Sequence, residues 1–317
     1  MNNLNLLTGA KILLLGSSGF IGTHLLERLL SQSAKIVLPI RNIDKLQGRV
    51  SNLIDHKAVT IVDFESFIGD SKKMDFDFVF NASGFGVNPD ERHFLEMFYV
   101  NSFIPIILVD KLQNNSTCFI QIGSGSEYKD KKNSSHFFEN DPKADSGLYS
   151  LSKKFSSEYL IEVARGISMP MVSLRLFNIF GPGENPHRLF PSIYSRLSKN
   201  KEINLSDGNQ IRDFLYIEDA VNAILHVACV CKKNNIIDEV NICSGNGISV
   251  KDFAKKIANK MNLDTRLLKF GKIQRRDTDY ETFVGDLNKL KDKYCWQPKH
   301  DLTSGINLYL KFLIDNE

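Results

Sequence analysis

The sequence predicts an α/β chain in which a doubly wound parallel sheet carries a smaller C-terminal α/β lobe. Three features predict it: short aliphatic runs alternate with stretches of helical period, a glycine triplet directly follows the first run, and the alternation breaks into shorter elements after Gly181-Pro182-Gly183.

Taken in order, Ala10 to Leu15 is an aliphatic run ending at Gly16, as expected of a strand buried on both faces. Phe20, Ile21, Leu25, Leu26, Leu29 and Leu30 then recur at helical spacing, and Lys35 to Ile40 reads as a second strand. The alternation continues through strands at Val59 to Val62 and Asp77 to Phe80, a helix around Phe94 to Leu112, and a strand at Thr117 to Ile122. A helix from Ser146 to about Ala164 and a strand at Met171 to Leu176 close the first part. Beyond the Gly/Pro turn the pattern predicts helices near Leu189 to Leu197, Asp219 to Val230, Val250 to Met261 and Leu302 to Ile314, with a strand at Val240 to Ile242.

At 317 residues, with 42% hydrophobic and 24% charged residues, the chain can bury a large core. A net charge of +3, with only short basic clusters such as Lys131-Lys132, gives no footprint for nucleic acid. The start of the chain has no basic segment before a long apolar run, so neither export nor a membrane anchor is expected, and a reducing cytoplasm fits five cysteines in no disulfide pattern. The seven histidines are scattered and no CxxC occurs, so no metal is expected.

Gly16-Ser17-Ser18-Gly19-Phe20-Ile21-Gly22 lies between the first strand and first helix, where glycines allow a tight turn and close approach to a pyrophosphate at the helix N-terminus. At the end of the second strand an acidic residue would bind the ribose hydroxyls of NAD. Pro39-Ile40-Arg41-Asn42 has none, and Arg41 can pair with a 2′-phosphate, so NADP(H) is favoured with NAD(H) as the other option. A solvated strand-end arginine is the alternative reading of Arg41.

Tyr149 and Lys153 stand i,i+4 on a helix, which places phenol and ammonium on one face. A neighbouring ammonium together with a positively charged nicotinamide is expected to lower the phenol pKa so that the tyrosine exchanges a proton with a carbinol.

These motifs resemble the extended short-chain dehydrogenase/reductase family in its NAD-dependent epimerase/dehydratase branch, whose members modify nucleotide sugars, and the GxxGxxG spacing belongs to that resemblance. It extends over nearly the whole chain. It implies a Rossmann-type NAD(P)-binding domain over 1–177 and a mainly substrate-binding lobe over 178–317, with some chain crossing back. Ser124, four residues before Tyr128, completes a catalytic set with Tyr149 and Lys153, and Ser126 is the alternative. The implied cofactor contacts are Gly16, Ser18, Gly19, Phe20, Ile21, Gly22, Arg41, Asp63, Phe64, Asn81, Ala82, Ser83 and Asn101, besides Tyr149 and Lys153. Asp63 resembles the residue that bonds the adenine, although an ordinary strand-end cap is the competing reading. Asn101 resembles the asparagine that supports the lysine. The implied substrate contacts are Ser124, Ser126, Asn178, His187, Leu189, Phe190, Arg212 and Arg276, the two arginines on phosphates or else in structural salt bridges.

Dehydratases of the family resemble Thr-Asp-Glu where this chain has Ser124-Gly125-Ser126, so elimination is disfavoured. Ring-carbon epimerisation by a Cys/His pair is disfavoured as well, because the epimerase/reductases that make GDP-fucose carry a cysteine where Ser126 stands; His187 alone matches that pair, and substrate contact or packing is the preferred reading for it. The stretch Phe270 to Asp277 is similar to reductases acting on CDP- or dTDP-linked 4-keto-6-deoxysugars. NADP preference separates what remains, since a reductase exchanges its cofactor at each turnover and an epimerase retains NAD, so NADPH-dependent reduction of the C4 keto group of a nucleotide-diphosphate-sugar is the first expectation and an NAD-retaining 4-epimerase the second. A non-catalytic NADP-sensing protein is the third, opposed by the intact Ser124, Tyr149 and Lys153. A homodimer through the helices around Phe94 to Leu112 and Ser146 to Ala164 is expected from the same resemblance.

Overall fold

The buried run Ile12–Leu15 seeds the sheet that organises the chain, because a strand apolar on both sides is stable only with neighbours on each edge and layers above and below. In the computed structural model, which describes residues 3–43, 53–70, 74–87, 91, 93–112, 116–131, 135–275 and 279–316, β1 (Lys11–Leu15) is flanked by β2 (Lys35–Ile40), which pairs with β3 (Val59–Asp63), and by β4 (Phe78–Asn81). Next come β5 (Cys118–Ser124) and β6 (Met171–Leu176), all parallel.

The smaller strands follow: β7 (Asn178–Phe180), β8 (Ile203–Asn204) and β9 (Ile211–Tyr216). The chain then returns to the main sheet as β10 (Ile237–Ile242), parallel to β6, giving the seven-stranded order β10-β6-β5-β4-β1-β2-β3. Sequence patterning found only the last three residues of β10. Its first half is partly exposed at the sheet edge and carries Asp238 and Glu239, so the aliphatic signal is confined to the buried end.

Helices cover both faces, among them α1 (Phe20–Ser31), the short α2 (Phe64–Gly69), α3 (Phe94–Phe98) and α4 (Ile104–Lys111). The helix expected around Phe94 to Leu112 is present, but a π-helical turn over Tyr99–Phe103 separates α3 from α4. Such a turn inserts an extra residue and re-aims side chains, here Asn101. The long α5 (Leu148–Ile167) begins after Gly147, whose φ of 84° an L side chain rarely adopts, and ends on Ser168 in the left-handed region.

In the second part, α6 (Leu189–Leu197), α7 (Ile217–Asn234), β11 (Gly247–Ser249), α8 (Val250–Lys260), β12 (Leu268–Lys269), β13 (Thr282–Phe283), α9 (Asn288–Asp292) and α10 (Leu302–Asp315) follow. β9 is the centre of a small sheet, pairing with β7, β11 and β13. An aromatic nucleus holds this part together: Phe214 stacks on Phe253 with ring centres 3.8 Å apart, and Phe190 stacks on Tyr309 at 4.4 Å. Rings in such contact contribute about 0.5–1.5 kcal/mol beyond their buried area. All five cysteines are free, and only Cys295 is exposed.

Candidate active site

In the strand order, neighbours diverge between β1 and β4, so a crevice opens there at the carboxyl ends of the strands. Leu15 is in register with Asn81, which brings the glycine turn against the segment Asn81–Gly84. The approach is so close that a Cβ on Gly16, at φ 74°, would stand 2.5 Å from the Ala82 carbonyl oxygen. A Cβ on Gly22 would collide with the backbone of Gly16, and one on Gly19 would lie 3.2 Å from the Gly16 carbonyl oxygen. The turn therefore presents bare backbone at the start of α1, whose N-cap, Gly19, supplies no side-chain cap. Open amides and the positive end of the helix dipole make this a cradle for a pyrophosphate.

Of the other residues named for a dinucleotide, Ser18, Phe20 and Ile21 are half-buried at the same helix start. Arg41 is exposed, with its guanidinium over the Phe64 ring 5.6 Å from the ring centre. Asp63 adopts the capping arrangement: Oδ1 accepts from the Ser66 N–H at 2.9 Å and from its hydroxyl at 2.7 Å, which holds its carboxyl below the usual range. Asn81 donates to Gln121 across the sheet at 2.9 Å and accepts the Ser83 hydroxyl at 2.5 Å, fixing the turn of Ala82 and Ser83.

Opposite the cradle, α5 brings Tyr149 and Lys153 to the end of β5. The Lys153 ammonium is buried and donates to the carbonyls of Ser83 at 3.1 Å and Ile122 at 3.2 Å. Gly84 lies under it, since a Cβ there would stand 3.4 Å from Nζ and 3.9 Å from Asn101 Oδ1. Asn101 clamps Phe85 through both its backbone groups, at 3.0 and 2.9 Å, and donates to the Ser152 hydroxyl at 3.0 Å. The π-turn thus locks α5 to the loop after β4, with no direct bond from Asn101 to the lysine among the described contacts.

Ser124 hydrogen-bonds the Tyr149 hydroxyl and accepts the Ser126 hydroxyl at 2.9 Å. The expected lowering of the tyrosine pKa is not found in the protein alone. Burial pushes Tyr149 up to about 12, against the pull of the Ser124 hydrogen bond, while Lys153 is directed at two carbonyls. Lys153 itself is pushed down to about 8 by burial, opposed by the negative charge of Glu127.

The residues named for a substrate divide. Asn178, at the start of β7, donates to the Asp213 carbonyl at 3.1 Å, and His187 is exposed on the turn before α6. Leu189 packs against the core from the start of α6. The Phe190 ring is sealed among Phe180, Phe253 and Tyr309, so its side chain is core and only its backbone is left for outward contacts. The helix expected near Leu189 to Leu197 is present, and it turns every third or fourth side chain inward. Arg212 is buried and ion-paired with Asp279. Burial lowers its pKa, with Asp279 opposing. Arg276 lies outside the described residues; its neighbour Arg275 holds Glu281 at 2.8 Å.

The sequence reading passed over Glu127 and Arg175, both wholly buried beneath Ser124. Their signal was present: an arginine in a six-residue strand of which every position is buried needs an internal carboxylate. It also passed over Pro182, whose carbonyl bonds His24 Nε2 at 2.8 Å and ties the Gly/Pro turn to the helix that starts at the cradle.

With this geometry in place, comparison with known proteins is informative. The model of the NAD dependent epimerase/dehydratase family matches residues 12–243. The chain is 27% identical over 308 residues to CDP-abequose synthase of Salmonella typhimurium, covering 95% of this chain and 98% of that one. Its fold is similar to that of UDP-N-acetylglucosamine 4-epimerase from Methanobrevibacter ruminantium, with a TM-score of 0.85 and 20% identity over 98% of this chain and 100% of that one. It is also similar to that of the NAD complex of dTDP-glucose 4,6-dehydratase from Bacillus anthracis, with a TM-score of 0.83 and 19% identity over 97% of both chains.

The depressed Lys153 pKa has a thermodynamic consequence. From about pH 8 up to the unfolded lysine value near 10.4, the folded chain has released a proton that the unfolded chain keeps, so this group's contribution to stability grows with pH. Lys153→Met lacks that dependence. Its Tm relative to the parent should therefore fall progressively between about pH 7 and pH 10 in buffered thermal melts; a difference that stays flat or grows contradicts the assignment.

Proposed function

The chain belongs to the NAD-dependent epimerase/dehydratase family, and on that premise we propose that it uses NADPH to reduce the C4 keto group of a nucleotide-linked 4-keto-6-deoxyhexose, in deoxysugar formation for a surface polysaccharide. The observation that carries the choice of reduction is Arg41. The end of β2 offers a guanidinium, laid over Phe64, and no carboxylate among Pro39–Asn42. A 2′-phosphate pairs with such a group, and a cofactor exchanged at every turnover suits a reductase. Similarity to CDP-abequose synthase along almost its whole length supports a deoxysugar substrate.

The residues present fit a dinucleotide. The glycine cradle Gly16 to Gly22 would hold the pyrophosphate, Arg41 the 2′-phosphate, and Lys153 with the Gly84 backbone the nicotinamide ribose. Bound there, the cofactor supplies a hydride to the sugar C4. Tyr149 donates its hydroxyl proton to the C4 oxygen as negative charge develops on it, and Ser124 donates a second hydrogen bond to the same oxygen. A tyrosine held near 12 is protonated at neutral pH, the state that reduction requires at the start. Lys153 then helps restore the proton. Arg212 would exchange Asp279 for a substrate phosphate, and Asn178 and Ser126 would contact the same substrate.

We further read the exposed apolar face of α3, the π-turn and α5 as the contact with a second copy. Phe94, Leu95, Phe98, Leu148, Leu151 and Phe155 line a groove of 540 Å³ there, and Phe103 and Tyr159 extend the exposed face.

Three outcomes follow. Mixed with NADPH and a panel of dTDP-, CDP-, GDP- and UDP-4-keto-6-deoxyhexoses, the chain should oxidise NADPH with one nucleotide sugar, and Tyr149→Phe should slow this roughly 10²–10⁴-fold; NAD copurifying with no NADPH loss indicates a 4-epimerase instead. In fluorescence titrations Arg41→Ala should weaken NADPH about tenfold and leave NADH unchanged, and equal effects on both contradict the phosphate role. Phe155→Glu should convert a sedimenting dimer to a monomer, whereas a parent chain that already sediments as a monomer ends the dimer reading.

A further inference from the structure

Glu127 lies wholly buried just past Ser124, and the reaction proposed above gives it no part. Its position is tightly determined. Oε1 accepts the backbone N–H of Ser124 at 2.8 Å, while the Ser124 hydroxyl accepts the N–H of Ser126 at 3.2 Å, a reciprocal pair that rigidifies the end of β5. The same Oε1 occupies the space where a side chain on Gly123 would begin, so any Cβ there would have to displace the Glu127 carboxylate. Oε2 is anchored by Arg175 Nε at 3.2 Å, and Arg175 in turn donates to the Tyr128 hydroxyl at 3.0 Å and pairs with Glu239. Lys153 grips the carbonyl of Ile122, two residues before the amide that Glu127 holds.

We propose that Glu127 is the positioning residue of this site: hung on Arg175, its carboxylate fixes the Ser124 backbone and so the hydroxyl beside Tyr149, and it presents a buried negative charge to Lys153 and Tyr149. The proposal rests on the reading that Ser124, Tyr149 and Lys153 are the catalytic set. A strand end held by a single glycine-flanked turn has freedom to move by an ångström, and a misplacement of that size at a reacting centre is costly in rate. Among the described residues the following charged groups act on the pair. Lys153 feels Glu127 against two neutral carbonyls; Tyr149 feels Glu127 and Glu91 on one side and Arg188 on the other. Around the anchor stand Arg175, Glu139, Glu239 and Lys143. The negative charge of Glu127 acts in the same direction on both members of the pair, favouring the proton-bound forms.

Two variants separate the two halves of the role. Glu127→Gln keeps the shape and the acceptor for Ser124 but removes the charge, and Glu239 remains as a partner for Arg175. In labelled-lysine NMR of the cofactor-free chain, with the Lys153 signal identified by its loss in Lys153→Met, the Lys153 midpoint should fall by about half to one pH unit. Glu127→Asp keeps the charge on a shorter arm that no longer reaches the Ser124 N–H. It should leave that midpoint in place and lower kcat for ketosugar reduction roughly tenfold with KM unchanged. An unmoved midpoint in Glu127→Gln, or full kcat in Glu127→Asp, overturns the proposal. If Glu127→Gln fails to fold, the Glu127→Asp arm decides; if the parent reduces no ketosugar, the reading of the reaction fails and the Lys153 titration still decides the role of Glu127.

Discussion

The contact between Gly16 and the Ala82 carbonyl is the constraint on which the upper side of the sheet depends. Parallel strands place β1 and β4 about 4.8 Å apart, and the turns leaving them must separate at once or interlock. Here they interlock, because Gly16 carries no Cβ and adopts φ 74°. The glycine cradle, the Asn81-braced turn and the Ser83 carbonyl that receives Lys153 are thereby brought within one small volume. Moving Gly16 away from Ala82 would widen the crevice and separate the anion cradle from the ammonium.

On the other side of that crevice the organising element is a buried ion network. Arg175, in a strand of which every residue is buried, is matched by Glu127 and Glu239, and burial, aided by the Arg175 charge and opposed by Glu127, pushes the Lys143 ammonium down to about 7. Such groups do not stabilise a core efficiently compared with well-packed apolar residues, and they tolerate little displacement. What they give instead is a fixed orientation, delivered through Glu127 to Ser124. The second part of the chain is fixed differently, through stacked aromatic rings and the His24 bond to Pro182.

Strands and helices with a strong period were legible in the sequence because their burial is regular: β1, β2, β6 and α6 lie where patterning puts them. The short strands β7, β9, β11 and β13 were not, since two to six residues pairing around one centre carry no periodic signal of their own. The same logic divides the site. Glycines and the Tyr149/Lys153 spacing announce themselves, being local. The Glu127–Arg175 pair joins residues 48 positions apart, and Arg212–Asp279 joins residues 67 apart, so only the fold brings them together. Phe190 shows the reverse: its helix turns the side chain into the core, a burial that its sequence position does not announce.

The direction of the proton shifts bears on the reaction itself. A chain that oxidises a sugar carbinol first needs a tyrosine ready to accept a proton, whereas one that reduces a ketone first needs a tyrosine that still has one. Burial around Tyr149, with Glu127 behind it, favours the protonated phenol, and Lys153 stands close to neutrality as the group that can hand a proton back. Glu127 is also turned away from any substrate, occupied by an amide and a guanidinium, so it is unavailable to draw a proton from carbon as elimination requires. In the reduction proposed above, the reaction starts from the protonated phenol that burial favours.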